Sequence, residues 1–258
     1  MPKVRINGID LYYEVHGEGP VIVFAHGRGG NHLSWWQQVP FLSKQYKCVI
    51  FDQRGKGQSL DIPNGPAQRA FVRDLEGLLT HLGIHEIYLV CQSMGQCTGV
   101  GFTVAHPDRV RGLVLADTTG GVDEEISSKI QELREAAGEE ALSFPSRVYA
   151  RSFPESHPAK AFLYQEITAL NPPHRSISVD RIKPQELAAT KVPILMIVGE
   201  QDVLIPPVVV EMYRERIPHA KILLVPGAGH SVYFEKPEIF NDAVGQFISQ
   251  IEAGDSRS

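Results

Sequence analysis

Ile87-Tyr88-Leu89-Val90-Cys91-Gln92-Ser93-Met94-Gly95-Gln96-Cys97-Thr98-Gly99 is the stretch whose reading decides the fold. It opens with an unbroken apolar run, Ile87 to Val90, then turns through Cys91-Gln92-Ser93-Met94-Gly95. Beyond the turn the pattern predicts a helix over about 94–106. A short continuous run of Val, Ile and Leu bounded by a turn is how a strand buried on both faces reads, because helices rather than water cover it. A strand handed over to a helix in one tight turn is the building step of a wound α/β sheet.

The same rhythm recurs on both sides. Val21 to Ala25, Cys48 to Phe51, Gly112 to Ala116, Ile194 to Val198 and Ile222 to Val225 read as further buried parallel strands. Helical patterns fall at about 33–44, 66–83, 207–217 and 236–252. Lys3 to His16, which contains Asn7-Gly8, reads instead as an antiparallel hairpin. From about Gly121 to Ala189 no strand pattern appears. Helix formers such as Ile130-Gln131-Glu132-Leu133-Arg134-Glu135 dominate there, punctuated by prolines at 145, 154, 158, 172, 173 and 184. The fold class expected is therefore α/β, with an α/β core over 1–120 and 190–258. A helical cap insert over 121–189 is expected to lie across the strand ends.

Composition narrows the function. The chain has 258 residues, long enough for one α/β domain with an insert. Its net charge of -5 and lack of a Lys/Arg cluster argue against a nucleic-acid partner. No stretch approaches the roughly 18 apolar residues of a membrane span, and no apolar secretory core follows Met1-Pro2-Lys3-Val4-Arg5. The expectation is a cytoplasmic protein without membrane attachment, monomeric or a small homo-oligomer. Cys48, Cys91 and Cys97 are odd in number and lack metal-ligand spacing, so they read as reduced packing residues.

Chemistry-bearing residues gather at the ends of the strand runs, where ligands bind in wound sheets. Ser93 stands on the turn after Ile87 to Val90, a position that thrusts its hydroxyl out of the sheet. The next backbone N–H, on Met94, is aimed at the oxygen on which negative charge develops. Asp202 closes Gly199-Glu200-Gln201-Asp202 after the penultimate strand, and His230 closes Gly227-Ala228-Gly229-His230 after the last. A serine hydroxyl is a poor nucleophile until a base takes its proton. Histidine suits that task near neutral pH, and a carboxylate fixes its tautomer and stabilises its charged form. His26-Gly27-Arg28-Gly29-Gly30 and Asp52 to Ser59 end two other runs.

These five motifs in this order resemble the α/β-hydrolase superfamily, in particular small capped esterases, enol-lactone hydrolases and carbon-carbon bond hydrolases. The match spans 1 to about 120 and 190–253. The usual pattern Gly-x-Ser-x-Gly is altered, with Cys91 in place of the first glycine and Gly95 kept. The resemblance implies an eight-stranded, mostly parallel sheet, a site between sheet and cap, and no cofactor or metal. It also implies a second oxyanion donor at the backbone N–H of Arg28. Asp117 is the rival acid, since some family members carry theirs after that strand. His26 reads as structural, the seven histidines at 32, 81, 85, 106, 157, 174 and 219 as surface, helix or cap residues, and Trp35 or Trp36 as core.

The resulting expectation is a serine hydrolase cleaving a small-molecule carboxylic ester or lactone. Apolar cap residues Phe144, Tyr149, Phe153, Phe162, Leu163 and Tyr164 suggest an uncharged acyl or ring group. The rivals are a carbon-carbon bond hydrolase of a vinylogous diketone, with Arg147, Arg151 or Arg175 as carboxylate clamps, and a slowly hydrolysing ligand receptor. Haloalkane dehalogenase and epoxide hydrolase readings fail on Ser93, because those families carry aspartate at that turn.

Overall fold

A computed structural model describes residues 2–121, 123–143, 147–173 and 182–255, with the side chains of all of these but 139–142 and 255. Eight strands form one sheet: β1 (Lys3–Ile6), β2 (Ile9–His16), β3 (Val21–Ala25), β4 (Lys47–Phe51), β5 (Ile87–Gln92), β6 (Val110–Ala116), β7 (Ile194–Gly199) and β8 (Ala220–Val225). Their order across the sheet is β1-β2-β4-β3-β5-β6-β7-β8. Only β1 and β2 run antiparallel to their neighbours. The other pairs, from β4–β3 to β7–β8, are parallel. Asn7 and Gly8 take the positive φ values of 46° and 85° that a two-residue hairpin turn requires.

Among the described residues ten α-helices accompany the sheet: α1 (Val39–Leu42), α2 (Phe71–Leu82), α3 (Gln96–Ala105), α4 (Glu124–Leu142), α5 (Phe153–Ser156), α6 (Pro158–Ala169), α7 (Pro184–Ala189), α8 (Pro207–Arg216), α9 (Val232–Glu235) and α10 (Pro237–Asp255). All six residues of β5 and of β7 are buried, as expected of strands covered on both faces. One apolar cluster joins Val23, Leu89, Leu113 and Met196 to Leu75, Phe102 and Tyr213. A second joins Phe24, Val90, Val114 and Ile197 to Trp35, Phe234, Phe240 and Phe247. Successive strand residues thus feed opposite layers, the period of two built into a strand.

The helix expected over 33–44 is two pieces, a 3-10 turn at His32–Trp35 and the four-residue α1. Asn31 caps the first by accepting from Leu33 N at 3.0 Å, and Pro40 stands in the first turn of the second, where its missing N–H costs nothing. Between β6 and β7 the described residues form helices α4 to α7, with α4 broken at Gly138, whose φ is 78°. Among the described residues no helix is long and apolar enough to cross a membrane. Phe144, His174 and Arg175 lie outside the described residues.

Candidate active site

β5 ends at Gln92, and a single 3-10 turn, Ser93–Gly95, leads into α3. Ser93 has φ of +48°, the left-handed region that non-glycine residues avoid. Two close approaches impose that turn. A Cβ on Gly95 would collide with the carbonyl of Ala25 at the end of β3. On the other side, a Cβ on Gly99 would collide with Cys91 Sγ. The cysteine at the altered position therefore fits because α3 presents a glycine to it. Thr118 Oγ1 donates to Ser93 O at 3.0 Å, tying the turn to the end of β6.

His230 Nε2 lies 2.9 Å from Ser93 Oγ, and His230 Nδ1 lies 2.8 Å from Asp202 Oδ2. A carboxylate accepts, so the proton sits on Nδ1 and Nε2 is left to accept from the serine hydroxyl. Asp202 Oδ1 accepts from Leu204 N at 2.8 Å and Ile205 N at 2.9 Å, which fixes the orientation of the carboxylate. Asp202 and His230 are 3% and 6% exposed. Gln92 Nε2 donates to His230 O at 2.9 Å. Glu235 accepts from Gly229 N at 2.9 Å and from Ala150 N at 2.8 Å, joining the histidine loop to the segment ahead of α5. Burial pushes Glu235 up to about 7 despite those N–H groups.

Asp117, also fully buried, does not reach the histidine. Its carboxylate accepts from Gly199 N at 3.3 Å and Val232 N at 3.0 Å. Burial, then the charge of Asp202, drives its pKa well above the carboxylate range.

The loop after β3 abuts the serine, since a Cβ on Gly27 would stand 3.3 Å from Ser93 Cβ. That contact sets the loop that carries Arg28 against the turn at Ser93. His26 fixes the loop from beneath: Nδ1 donates to Gly27 O at 2.8 Å and Nε2 accepts from Gln53 N at 3.0 Å. Gln53 returns a bond from Nε2 to His26 O at 2.6 Å and accepts from Thr98 Oγ1, also at 2.6 Å. Complete burial lowers His26 to about 4, so it is neutral at pH 7.

Farther along the same sheet edge, Asp52 accepts from His32 N at 2.7 Å, His32 Nδ1 at 2.8 Å and Gln58 N at 2.7 Å. His32, in the 3-10 helix His32–Trp35, is thus also a buried anchor of the loop. Arg54 makes a forked pair with Asp74 at 2.7 and 2.8 Å and bonds Asp61 at 3.0 Å.

α6 and the residues after it lie over these loops. Asn31 Nδ2 donates to Ile167 O at 2.9 Å. Asn171 accepts from Gly57 N and donates to Gly29 O, both at 2.9 Å. Tyr149, Phe153 and Tyr164 form an aromatic cluster with Phe234, whereas Phe162 is 63% exposed. Trp35 is in the core against Phe24 and Tyr233; Trp36 packs edge-on against Phe234 and is partly exposed. Arg147 and Arg151 face solvent. Cys48, Cys91 and Cys97 are free thiols, and burial raises all three pKa values, Cys48 to about 12. Among the described residues no three His, Cys, Asp or Glu side chains are grouped to hold a metal ion.

Comparison with known proteins agrees with this architecture. The sequence profile described as the alpha/beta hydrolase family matches residues 22–243. A protein of Azorhizobium caulinodans, provisionally named carbamate hydrolase RutD, is 27% identical over 98% of this chain and all of its own. One of Mycobacterium tuberculosis, provisionally named non-heme bromoperoxidase BpoC, is 30% identical over 95% of this chain and all of its own. Among solved structures, a thermophilic esterase of Thermogutta terrifontis superposes with a TM-score of 0.83 at 27% identity, covering 97% of this chain and 99% of the other.

Proposed function

This chain belongs to the alpha/beta hydrolase family, and within it we propose a serine hydrolase that cleaves a carboxylic ester or lactone through an acyl-serine intermediate. The observation that carries the reading is the continuous path Asp202 Oδ2–His230 Nδ1 at 2.8 Å and His230 Nε2–Ser93 Oγ at 2.9 Å. In this reading His230 takes the proton of Ser93 as its oxygen attacks the carbonyl carbon, then gives it to the leaving oxygen. Asp202 holds the ring and stabilises the imidazolium. The N–H groups of Met94 and Arg28 receive the oxyanion, each such donor being worth about 2.7 to 4 kcal/mol in known hydrolases. Water, activated by the same histidine, then releases the acid and restores Ser93. No step calls for a cofactor or metal.

Residues 121–189 serve in this reading as a cap, with α6 and Asn171 closing over the loops at Gly29 and Gly57. Of the arginines that the carbon-carbon hydrolase alternative would use as carboxylate clamps, Arg147 and Arg151 are exposed, and Arg175 lies outside the described residues. Purified protein is expected to hydrolyse p-nitrophenyl acetate and butyrate, and Ser93→Ala to lower kcat by at least about 10⁴-fold while keeping its circular dichroism spectrum. An alanine variant with ordinary turnover would remove the proposal.

A further inference from the structure

The loop that carries His230 is pressed against the insert between β6 and β7. A Cβ on Gly229 would collide with Tyr149 C and Ala150 N, so the residue before His230 is a glycine against which the backbone at 149–150 lies flush. Two buried N–H groups, of Ala150 and of Gly229, meet at this contact and need acceptors out of reach of water. One side chain serves both: Glu235 Oε2 accepts from Ala150 N at 2.8 Å, and Oε1 accepts from Gly229 N at 2.9 Å. Glu235 ends α9, the short helix just past His230, and is itself 3% exposed. Its own N–H donates to Ser231 O at 2.9 Å, which closes the loop from His230 to Glu235.

A carboxylate brings two acceptor oxygens and no donor. An amide, or a carboxyl that has gained a proton, turns a donor toward one of the two N–H groups. The groups that act on Glu235, or on which it acts, are Asp202 after β7, Asp117 after β6, Tyr149 ahead of α5 and Tyr164 on α6. Exposed Arg147 acts on Tyr164. Burial is the largest influence on Glu235 and raises it to about 7; the charge of Asp202 works in the same direction, and the N–H groups of Ala150, Gly229 and Ser231 oppose both. Gln92 holds the same loop from the β5 side through His230 O, so the base has one neutral anchor and one that titrates.

We propose that Glu235 is a positioning residue for His230: as a carboxylate it fastens the insert at Ala150 to the base loop at Gly229, and gaining a proton releases one of the two. This rests on the serine hydrolase reading and adds a second proton to its pH dependence. Glu235 is not one of the groups bonded to Ser93. It acts by keeping the imidazole where Nε2 meets Ser93 Oγ at 2.9 Å.

The test reads the acid limb of kcat/KM for p-nitrophenyl butyrate, which reports groups of the free enzyme. Wild type should lose activity below about pH 7 more steeply than a single proton allows, because the base and Glu235 must both be free of a proton. Glu235→Gln should lower kcat by about ten- to a hundredfold, the scale of a slightly displaced catalytic group, and should leave a one-proton limb. A one-proton limb in wild type, ordinary kcat in Glu235→Gln, or a variant limb as steep as that of wild type overturns the proposal. Should the ester not be cleaved and a fluorophosphonate fail to label Ser93, the hydrolase reading is what falls. Amide signals of ¹⁵N-labelled wild type then still decide the latch. Those of Ala150 and Gly229 should move together as pH crosses about 7, and that of Ala150 should stay still in Glu235→Gln. Signals indifferent to pH, or an Ala150 signal that moves equally in the variant, refute it.

Discussion

Asp117 and Asp202 stand just past the ends of neighbouring parallel strands, both buried, both followed by a turn, and they face different partners. Asp202 directs one oxygen to His230 and the other to two backbone N–H groups of its own loop. Asp117, on a turn with φ of 49°, directs both oxygens to backbone N–H groups, one at Gly199 and one at Val232. Loop contact makes the difference. A Cβ on Gly199 would collide with the carbonyls of Ala228 and Gly229, so the loops after β7 and β8 lie directly against each other and Asp202 meets the histidine. Asp117 is left to stitch the same two loops together from behind. An acid at a strand end is therefore an orienting group or a staple according to what the adjacent loop presents.

The sharpest way to break this comparison is to replace each carboxylate by its amide. Asp202→Asn should lower kcat by about 10⁴-fold, because an amide no longer enforces the imidazole tautomer that accepts from serine. Asp117→Asn should keep most of the turnover and instead lose about 1 to 3 kcal/mol of stability, the cost of an ill-satisfied buried N–H, read by urea denaturation. Equal catalytic losses from the two variants would make Asp117 part of the proton path and dissolve the distinction.

A second prediction concerns a histidine that acts as a staple, His26, against the one at the serine. Its pKa falls from 6.5 in the unfolded chain to about 4 in the fold. Between those values the unfolded chain binds more protons, so stability is complete above pH 6.5 and falls as pH drops toward 4. The loss attributable to this residue is about 3 kcal/mol at about 1.4 kcal/mol per pKa unit. Urea unfolding of wild type and His26→Gln at several pH values measures it: the variant, which can still bond Gly27 O and Gln53 N, should show a shallower decline on the acid side. Parallel declines would mean that His26 is protonated in the fold.

How much of this was legible beforehand follows from what each residue depends on. β3 to β7 were readable because strands buried on both faces leave unbroken runs such as Ile194 to Val198, and β8, an edge strand with Lys221 and Leu224 exposed, still shows the apolar run Ile222 to Val225. The meeting of Ser93, Asp202 and His230 was readable because strand ends of a parallel sheet converge on one edge. Roles that depend on a neighbouring loop were not. Nothing in the sequence around Asp117 distinguishes a staple from an orienting acid. The anchoring role of His32 was not legible because its partner, Asp52, is twenty positions away. Glu235 became visible only when Gly229 and Ala150 were seen to donate to it. Helix 33–44 failed for a local reason, the Asn31 cap and Pro40 dividing one periodic stretch into two short turns.

The smallest expected effect tests why Cys91 is tolerated. Gly99→Ala should cost about 1 to 3 kcal/mol by overpacking against Cys91 Sγ. The double variant Cys91→Gly with Gly99→Ala should recover part of that loss, since the colliding sulfur is gone. Additive losses in thermal or urea unfolding would show that the two residues do not share the space.

The central claim is that Ser93 is activated by His230, and intact-mass analysis after a fluorophosphonate probe addresses it most directly. One adduct on wild type, none on Ser93→Ala and a strongly slowed reaction of His230→Ala is the predicted result. Labelling that survives Ser93→Ala, or wild-type protein that is folded and stays unlabelled, would contradict it.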